Sequence, residues 1–279
     1  MKKVKEFLKM IGWTITKPEM LILPGHLAFF FFLSVVPTIT LISYGASFLN
    51  LSIDFLSNFI TKAFGSEISN LIMPVMSGPK FSVKFIVTLL IGYFVASNGA
   101  ATLIVTSNTI YGIKDKGFLK RRLKAAVMTF IIIMLFLFII LVPVFGQKIT
   151  DLIRYVNLNA DITKDIEFIF KVLSSPVSWF IIFLFIKILY TMAPDRKMPS
   201  SYVNRGAIFT SIVWILVTKI YSYYIYNFSV YNTFYGSLAN IIVLMLWVFI
   251  LAYVFVIGMA MNSMVEEIKL EKTAKIKIK

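Results

Sequence analysis

Amide and hydroxyl side chains inside an apolar segment can hydrogen-bond a polar molecule that crosses a membrane. The second apolar segment of this chain carries Asn98, Thr102 and Asn108. At 100° per residue all three lie within about 80° of Asn98 on a helix, while Leu103 and Ile104 point elsewhere. This polar face predicts a central helix that either lines a path for a solute or lipid or hydrogen-bonds to neighbouring helices.

Two lysines, Lys187 and Lys219, are the charged residues within the predicted crossings. A lysine at the centre of a bilayer costs at least about 2.5–3.5 kcal/mol, so it normally faces a partner, water or the interface. Both lysines lie near enough to a segment end to extend toward that surface. The alternatives are this extension to the headgroups and a role in anion binding or gating.

The candidate lining of a solute or lipid path consists of polar and cationic residues from four segments and one loop. They are Asn98, Thr102, Asn108, Lys187, Lys219, Tyr235 and Asn240.

The sequence argues against an enzyme and against a bound cofactor. There is no cysteine and one histidine, and the 13 carboxylates lie in predicted loops and tails. Metal-assisted hydrolysis needs three or more converging N, O or S ligands, and no such spacing occurs. No glycine-rich phosphate loop or nucleophile elbow is found. We therefore predict no catalytic residues, no metal site and no cofactor.

Hydropathy predicts an all-α, polytopic membrane protein with six transmembrane helices. Of the 279 residues 59% are apolar and only 15% charged, against about a quarter in soluble domains. A crossing helix needs about 20 apolar residues. The segments that qualify are 27–49, 84–110, 124–146, 176–193, 206–227 and 237–262. Periodic apolar stripes in gaps 50–82 and 147–175 predict amphipathic helices on the outer surface.

The distribution of charge predicts the topology. The formal net charge is +15, and most lysines and arginines lie in the N-terminal stretch, gaps 111–124 and 194–205, and the C-terminal tail. Short loops rich in Lys and Arg stay in the cytoplasm. We therefore expect a multi-pass protein with both termini in the cytoplasm.

The basic gaps are expected to contact anionic lipid headgroups rather than nucleic acid, with about 1 kcal/mol gained per cation near the surface. The residues predicted for this inner-face contact are Lys120, Arg121, Arg122, Arg196 and Lys197. The sequence leaves oligomerisation open.

Three regions are predicted along the chain. Residues 1–24 form a cytoplasmic amphipathic interfacial segment, which Pro24-Gly25 separates from the first crossing. Residues 25–263 form the six-helix transmembrane domain, and residues 264–279 form a basic cytoplasmic tail. Small residues at Gly92, Ala96 and Ala100 and at Gly258 and Asn262 predict close helix contacts.

Several motifs, taken in order, resemble those of a known family. They are Ala28–Ser34 with Pro37; Ala96-Ser97-Asn98-Gly99 with Asn108 and Tyr111; Leu189-Tyr190 with Pro194-Asp195-Arg196-Lys197; Gly206-Ala207; Tyr231-Asn232; Tyr235–Leu238; Leu246-Trp247; and Gly258–Asn262. Over about residues 25–263 this order resembles the YihY/virulence factor BrkB family of bacterial inner-membrane proteins. The resemblance implies six membrane helices and a poorly defined biochemical role, and some members have been labelled ribonuclease BN.

Three functional hypotheses follow from the sequence. The first is a protein that transports or flips an unidentified small solute or envelope lipid. The second is a non-transporting envelope scaffold that binds partners through its outer surface helices or basic inner loops. The third is a membrane-associated ribonuclease. Substrate, coupling ion and direction of transport are not specified by the sequence.

Overall fold

The described part of the chain is helical, with no β-strand. The computed structural model describes residues 12, 16, 18–48, 61, 83–135, 176–177, 179–227 and 238–277. The main helices in these ranges are α1 (Glu19–Phe48), α2 (Val83–Ile110), α3 (118–135), α4 (179–192), α5 (Asn204–Asn227) and α6 (Leu238–Lys277). The predicted surface helices in gaps 50–82 and 147–175 lie outside the described residues.

These helices fall on the predicted apolar segments and confirm an all-α membrane protein. Among the described residues, three stretches are long and apolar enough to cross a bilayer, namely Leu89–Ile110, Asn204–Tyr224 and Ile241–Met264. Two shorter apolar helices, Glu19–Val35 and Trp179–Met192, overlap the first and fourth predicted crossings. The third predicted crossing, 124–146, is described only as far as residue 135. The number of six crossings stays a prediction.

The predicted helix break at Pro24-Gly25 is wrong. Helix α1 runs without interruption from Glu19 to Phe48 and contains both Pro24 and Pro37. Helices in a membrane tolerate proline because neighbouring helices and local adjustments satisfy the freed backbone groups. Here Pro24 is buried, and a Cβ on Gly25 would lie 3.9 Å from the Phe249 ring of α6. Tertiary packing therefore holds α1 together at a dipeptide that would break an isolated helix.

Both predicted domain boundaries fall inside continuous helices. Helix α1 begins before residue 25, and α6 continues past residue 263 to Lys277. The predicted interfacial helix in residues 2–17 lies outside the described residues. The division into three regions stays a prediction.

Helix α6 is central in the described bundle, since α1, α2 and α5 all pack against it and α1 also packs along α2. Tyr190 of α4 joins this core and is fully buried. Its hydroxyl donates to the Phe255 carbonyl at 2.7 Å and lies 2.7 Å from the Thr210 hydroxyl, which must then be the donor. One phenol thus connects α4, α5 and α6. Because lipid tails are as apolar as the helices, such polar contacts and close packing must hold the bundle together.

Two glycines bring α5 and α6 into backbone contact, which confirms the prediction made from Gly258 and Asn262. The Gly206 amide donates to Asn262 Oδ1 at 2.8 Å, and a Cβ added to Gly206 would collide with the Gly258 carbonyl oxygen and the Asn262 side chain. Trp214 Nε1 donates to the Leu251 carbonyl at 2.9 Å further along the same pair of helices. The absence of a side chain at residue 206 therefore sets the distance between α5 and α6.

We expect Gly206→Ala to destabilise the protein by about 1–3 kcal/mol, because the obstacle is backbone that cannot rotate away. Gly92→Ala is the matched control: its added Cβ would lie 3.9 Å from Pro37 Cβ, an ordinary contact. Alanine there removes the helix penalty of glycine, about 1 kcal/mol at most. Thermal unfolding of the detergent-purified protein should show a lower Tm for Gly206→Ala only. Equal Tm values for the two variants would contradict the close contact.

Candidate functional site: a cationic cleft where two loops meet

The loops 111–117 and 193–203 lie at the same end of the bundle. The first loop follows α2, where Gly112 adopts φ 61°. The Ile113 amide donates to the Asn108 carbonyl at 2.8 Å and the Gly112 amide to the Thr109 carbonyl at 3.2 Å. This arrangement satisfies the last carbonyls of the helix and needs a left-handed residue, which glycine adopts without strain. Lys116, which follows this turn, shares a cavity with Thr191 and Met192 at the end of α4.

A buried carboxylate, Asp195, joins the two loops. Asn108 Nδ2 donates to Asp195 Oδ2 at 2.8 Å, and the Asp195 amide donates to Asn108 Oδ1 at 2.9 Å. Lys124 Nζ donates to Asp195 Oδ1 at 2.8 Å and to the carbonyls of Ala193 and Pro194 at 2.8 and 2.7 Å. The Asp195 side chain is 3% exposed. We call Asn108, Lys124 and Asp195 the Asp195 junction; it links α2, α3 and the end of α4.

The Asp195 carboxyl stays ionised at neutral pH. Burial raises its pKa, but hydrogen bonds from Lys124 and Asn108, the Lys124 charge and the Lys116 amide together outweigh that effect and lower the pKa below its usual value. The more exposed Asp115 likewise has a lowered pKa, chiefly because Arg121 and the Gly117 amide donate to its carboxylate. Both carboxylates therefore act as anions that position cations.

A second contact ties the start of α3 to the middle of α2. Arg122 Nη1 donates to Asn98 Oδ1 at 2.7 Å, and Nη2 donates to the Phe94 carbonyl at 2.8 Å. The guanidinium carbon lies 3.7 Å from the centroid of the Phe94 ring, a cation–π distance. Tyr93 adds a hydrogen bond from its hydroxyl to the Ala126 carbonyl at 2.5 Å. Helix α3 is thus fixed along α2 as well as at the Asp195 junction.

An open cleft of about 700 Å³ lies beside the Asp195 junction. We call it the cationic cleft. Its cations are Lys116, Lys120, Lys124, Arg196 and Lys197, and its other lining residues are Thr191, Met192, Pro194, Asp195 and Met198. Five positive charges thus share one cavity with a single carboxylate. Clefts lined by one sign of charge concentrate counter-ions of the other sign, so this cavity attracts anions.

The candidate path residues do not converge in the described structure. Asn98 accepts a hydrogen bond from Arg122, and Asn108 donates one to Asp195. The Thr102 hydroxyl donates to the Asn98 carbonyl at 2.9 Å. The Lys187 ammonium lies 5.7 Å from the Phe183 ring centroid, and Lys219 is exposed on α5.

Two of the candidate path residues are described in part or not at all. Tyr235 lies outside the described residues, and Asn240 is described only as backbone of α6. Whether any of the seven lines a path stays a prediction.

The cations predicted to contact lipid separate into two groups. Lys120, Arg196 and Lys197 line the cationic cleft. Arg121 instead pairs with Asp115 at 2.6 Å, and Arg122 is held by Asn98 and Phe94. Lipid contact stays a prediction for all five, although the last two have protein partners.

The residues that the site analysis missed are Lys116, Lys124 and above all Asp195. The available signal was an acidic residue placed directly after an apolar segment in an otherwise basic gap. Among the described residues, no three His, Cys, Asp or Glu side chains are grouped so that they could hold a metal ion. The site is therefore defined by cations and one carboxylate.

Long apolar helices tied by sparse buried polar contacts define this chain as an α-helical integral membrane protein. It belongs to the Virulence factor BrkB family, whose family model matches residues 17–277.

Similar proteins come from several bacteria. The chain is 27% identical over 253 residues to a Bacillus subtilis (strain 168) protein named ribonuclease-like, YfkH, covering 88% of this chain and 90% of the relative. A UPF0761 membrane protein of Idiomarina loihiensis is 29% identical over 104 residues, covering 36% of this chain and 37% of the relative. One from Haemophilus influenzae (strain Rd) is 30% identical over 91 residues, covering 33% and 32%. No solved structure matches significantly.

We expect Asp195→Asn to lower the stability by about 1–3 kcal/mol, because its amide would place donors against donors from Lys124 or Asn108. Folding lowers the Asp195 pKa. The stabilisation by the Asp195 carboxylate is therefore complete above the pKa in the unfolded chain, about 4, and is lost as the pH falls through the pKa in the folded protein. The difference in Tm between wild type and Asp195→Asn should therefore be constant from about pH 7 to pH 5 and shrink below about pH 4.

Asp115→Asn is the control for this experiment. It removes a carboxylate from an exposed pair on the same face, and exposed pairs contribute little. Thermal unfolding by circular dichroism measures both variants. A loss for Asp195→Asn no larger than that for Asp115→Asn would contradict the structural role of the Asp195 junction.

Proposed function

We propose that this protein spans the bacterial inner membrane with both termini in the cytoplasm and transports or flips a solute or envelope lipid that carries an anionic group. The observation that carries the proposal is the cationic cleft, where Lys116, Lys120, Lys124, Arg196 and Lys197 surround a cavity of about 700 Å³. A cavity of this size is in the range of small-molecule sites.

The position of the cleft supports entry from the cytoplasmic side. It lies where the basic gaps 111–124 and 194–205 meet, and short segments rich in Lys and Arg remain in the cytoplasm. Anionic headgroups of the inner leaflet are attracted to cations at this depth. Lys120 and Lys197 are the cleft residues that we propose contact such headgroups, and Arg196 adds its charge to the same cavity. Nucleic acid is not part of the proposal.

The proposed path continues along α2 through Asn108, Thr102 and Asn98 toward Lys187, Lys219, Tyr235 and Asn240. In the described state Asn108 is bonded to Asp195 and Asn98 to Arg122. Passage of a solute therefore requires those contacts to open, which would separate α3 from α2 locally. The structure corresponds in this proposal to a closed state.

The same two contacts support the second candidate function, a non-transporting envelope scaffold. Asn98 and Asn108 both have protein partners, as expected for side chains that only hold helices together. In that case the basic loops would serve to bind partners or lipid. The ribonuclease hypothesis rests on the names given to the Bacillus subtilis relative and to some members of the family, and we propose no enzymatic role.

The proposed topology predicts a specific labelling pattern. Because the chain has no cysteine, single substitutions need no altered background. Lys114→Cys and Ser201→Cys, both exposed in the two loops, should react with a membrane-impermeant maleimide only after the membrane is permeabilised. Ser66→Cys, in the predicted outer gap 50–82, is the control and should react in intact spheroplasts. Labelling of the two loop cysteines in intact spheroplasts would place the loops outside the cell and contradict the proposed orientation.

Transport is tested in proteoliposomes with two anionic probes, fluorescent phosphatidylglycerol and inorganic phosphate, and with fluorescent phosphatidylcholine, which is zwitterionic, as the comparison without net charge. We expect flux of an anionic probe above that of empty liposomes. Lys120→Gln/Lys197→Gln should lower that flux at least about tenfold, since each charged contact contributes about 1.5–3 kcal/mol.

The matched control is Lys114→Gln/Arg205→Gln, which removes two exposed cations from the same end of the bundle outside the cleft. It should retain wild-type flux. Equal flux from both double variants would show that the cleft does not lie on the transport path. No flux above empty liposomes for either anionic probe would favour the scaffold.

A further inference from the structure

We propose that the cationic cleft is a binding site for a doubly charged phosphate group, that is, a phosphate monoester or a diphosphate, contacted by Lys116, Lys120 and Lys197. This inference deepens the proposed function, since it names the chemical class that the cleft takes, and it rests on that function only for the later step of transport.

The cations of the cleft do not all remain available for a ligand. Lys124 uses its three donors on Asp195 and on the carbonyls of Ala193 and Pro194. The Arg196 guanidinium carbon lies 5.6 Å from the Tyr111 ring centroid. These two cations form the wall of the cleft rather than its binding groups.

The side-chain ammonium groups of three lysines in the cleft have no ion pair or hydrogen bond with the described residues. They are Lys116 in the first loop, Lys120 in the first turn of α3 and Lys197 in the second loop. All three are exposed, so their ammonium groups are hydrated and able to move toward a ligand. The Asp195 junction holds the two loops together and therefore keeps these lysines around one cavity.

The net charge of the cleft indicates which ligand charge it favours. Five cations and one ionised carboxylate leave a large positive excess in a single cavity. Like charges this close repel one another, and water screens them only partly over distances below the Debye length of about 8 Å. A singly charged carboxylate or phosphodiester would leave most of this excess uncompensated. A ligand with two or more negative charges compensates it better.

Phosphate fits the geometry of the donors as well as their charge. A phosphate monoester carries about −1.5 to −2 charges at pH 7 and three strong acceptor oxygens, one for each of the three lysines. Lysine binds phosphate as a point charge and needs no fixed fork geometry. The neutral lining, which includes Met192, Pro194 and Met198, provides an apolar surface for the organic part of an ester. The cleft thus suits a phosphate joined to a larger group.

The phosphate can come from a lipid headgroup or from a soluble molecule, and two probes separate these sources. Purified full-length protein in phosphatidylcholine nanodiscs is titrated with inorganic pyrophosphate by calorimetry. In parallel, retention of phosphatidic acid, a monoester, is compared with that of phosphatidylglycerol, a diester, by native mass spectrometry from equimolar mixtures. We expect binding of pyrophosphate, or preferential retention of phosphatidic acid, or both, and the probe that binds identifies the source.

Lys120→Gln/Lys197→Gln should weaken the binding at least about tenfold, because two charge-assisted contacts are lost. Lys114→Gln/Arg205→Gln removes the same charge outside the cleft and should bind like wild type. A third variant, Lys120→Arg/Lys197→Arg, keeps the charge and should retain binding, and Tm values confirm that all variants fold.

Three outcomes would overturn the proposal. They are no binding of pyrophosphate or phosphatidic acid to the wild type, equal weakening in the two charge-removing variants, and equal retention of the monoester and diester lipids when pyrophosphate does not bind. Binding is an equilibrium measurement, so its result is independent of flux. Phosphate binding without flux would support the phosphate site and contradict the proposed transport. Flux without phosphate binding would support transport and contradict the assignment of the cleft to phosphate.

Discussion

The described structure depends most on the compensation of one buried charge. Asp195 is almost completely enclosed, and an ionised carboxylate in such a place is costly unless it is paired and hydrogen-bonded. Asn108 and Lys124 supply those partners from two other helices. Because the requirement can be met only when α2, α3 and the end of α4 come together, the carboxylate selects their arrangement. The cationic cleft exists because that arrangement also brings two basic loops side by side.

Away from the loops, the bundle is held by close contact rather than by charge. Gly206 and Gly258 let the α5 and α6 backbones touch, and Tyr190 fills the adjacent space with both of its polar contacts satisfied. In a membrane, where burial of apolar surface does not favour one helix pair over another, such contacts specify the neighbours. The Asp195 junction therefore fixes the positions of the two loops, whereas the glycine contact fixes the distance between α5 and α6.

Much of the fold was predictable from the sequence, because hydropathy acts locally. The predicted segments 84–110 and 206–227 match α2 and α5 within two residues, and the order of short motifs already indicated the family. The prediction of a helix break at Pro24-Gly25 was wrong because it considered only neighbouring residues in the sequence, whereas α1 packs against Phe249 of α6. The site was harder still. Asp195 meets Asn108 across 87 residues of chain, and no periodicity encodes a contact at that separation.

The bonds from Lys124 to the Ala193 and Pro194 carbonyls have a consequence for biogenesis. They place a cation next to the negative, C-terminal end of α4, where it satisfies the carbonyls of the two residues that follow the helix. The lysine is synthesised some 70 residues before those carbonyls, which is about 4–14 seconds earlier at about 5–20 residues per second. The N-terminal half thus carries the cation that satisfies the end of α4 before the ribosome has made that helix.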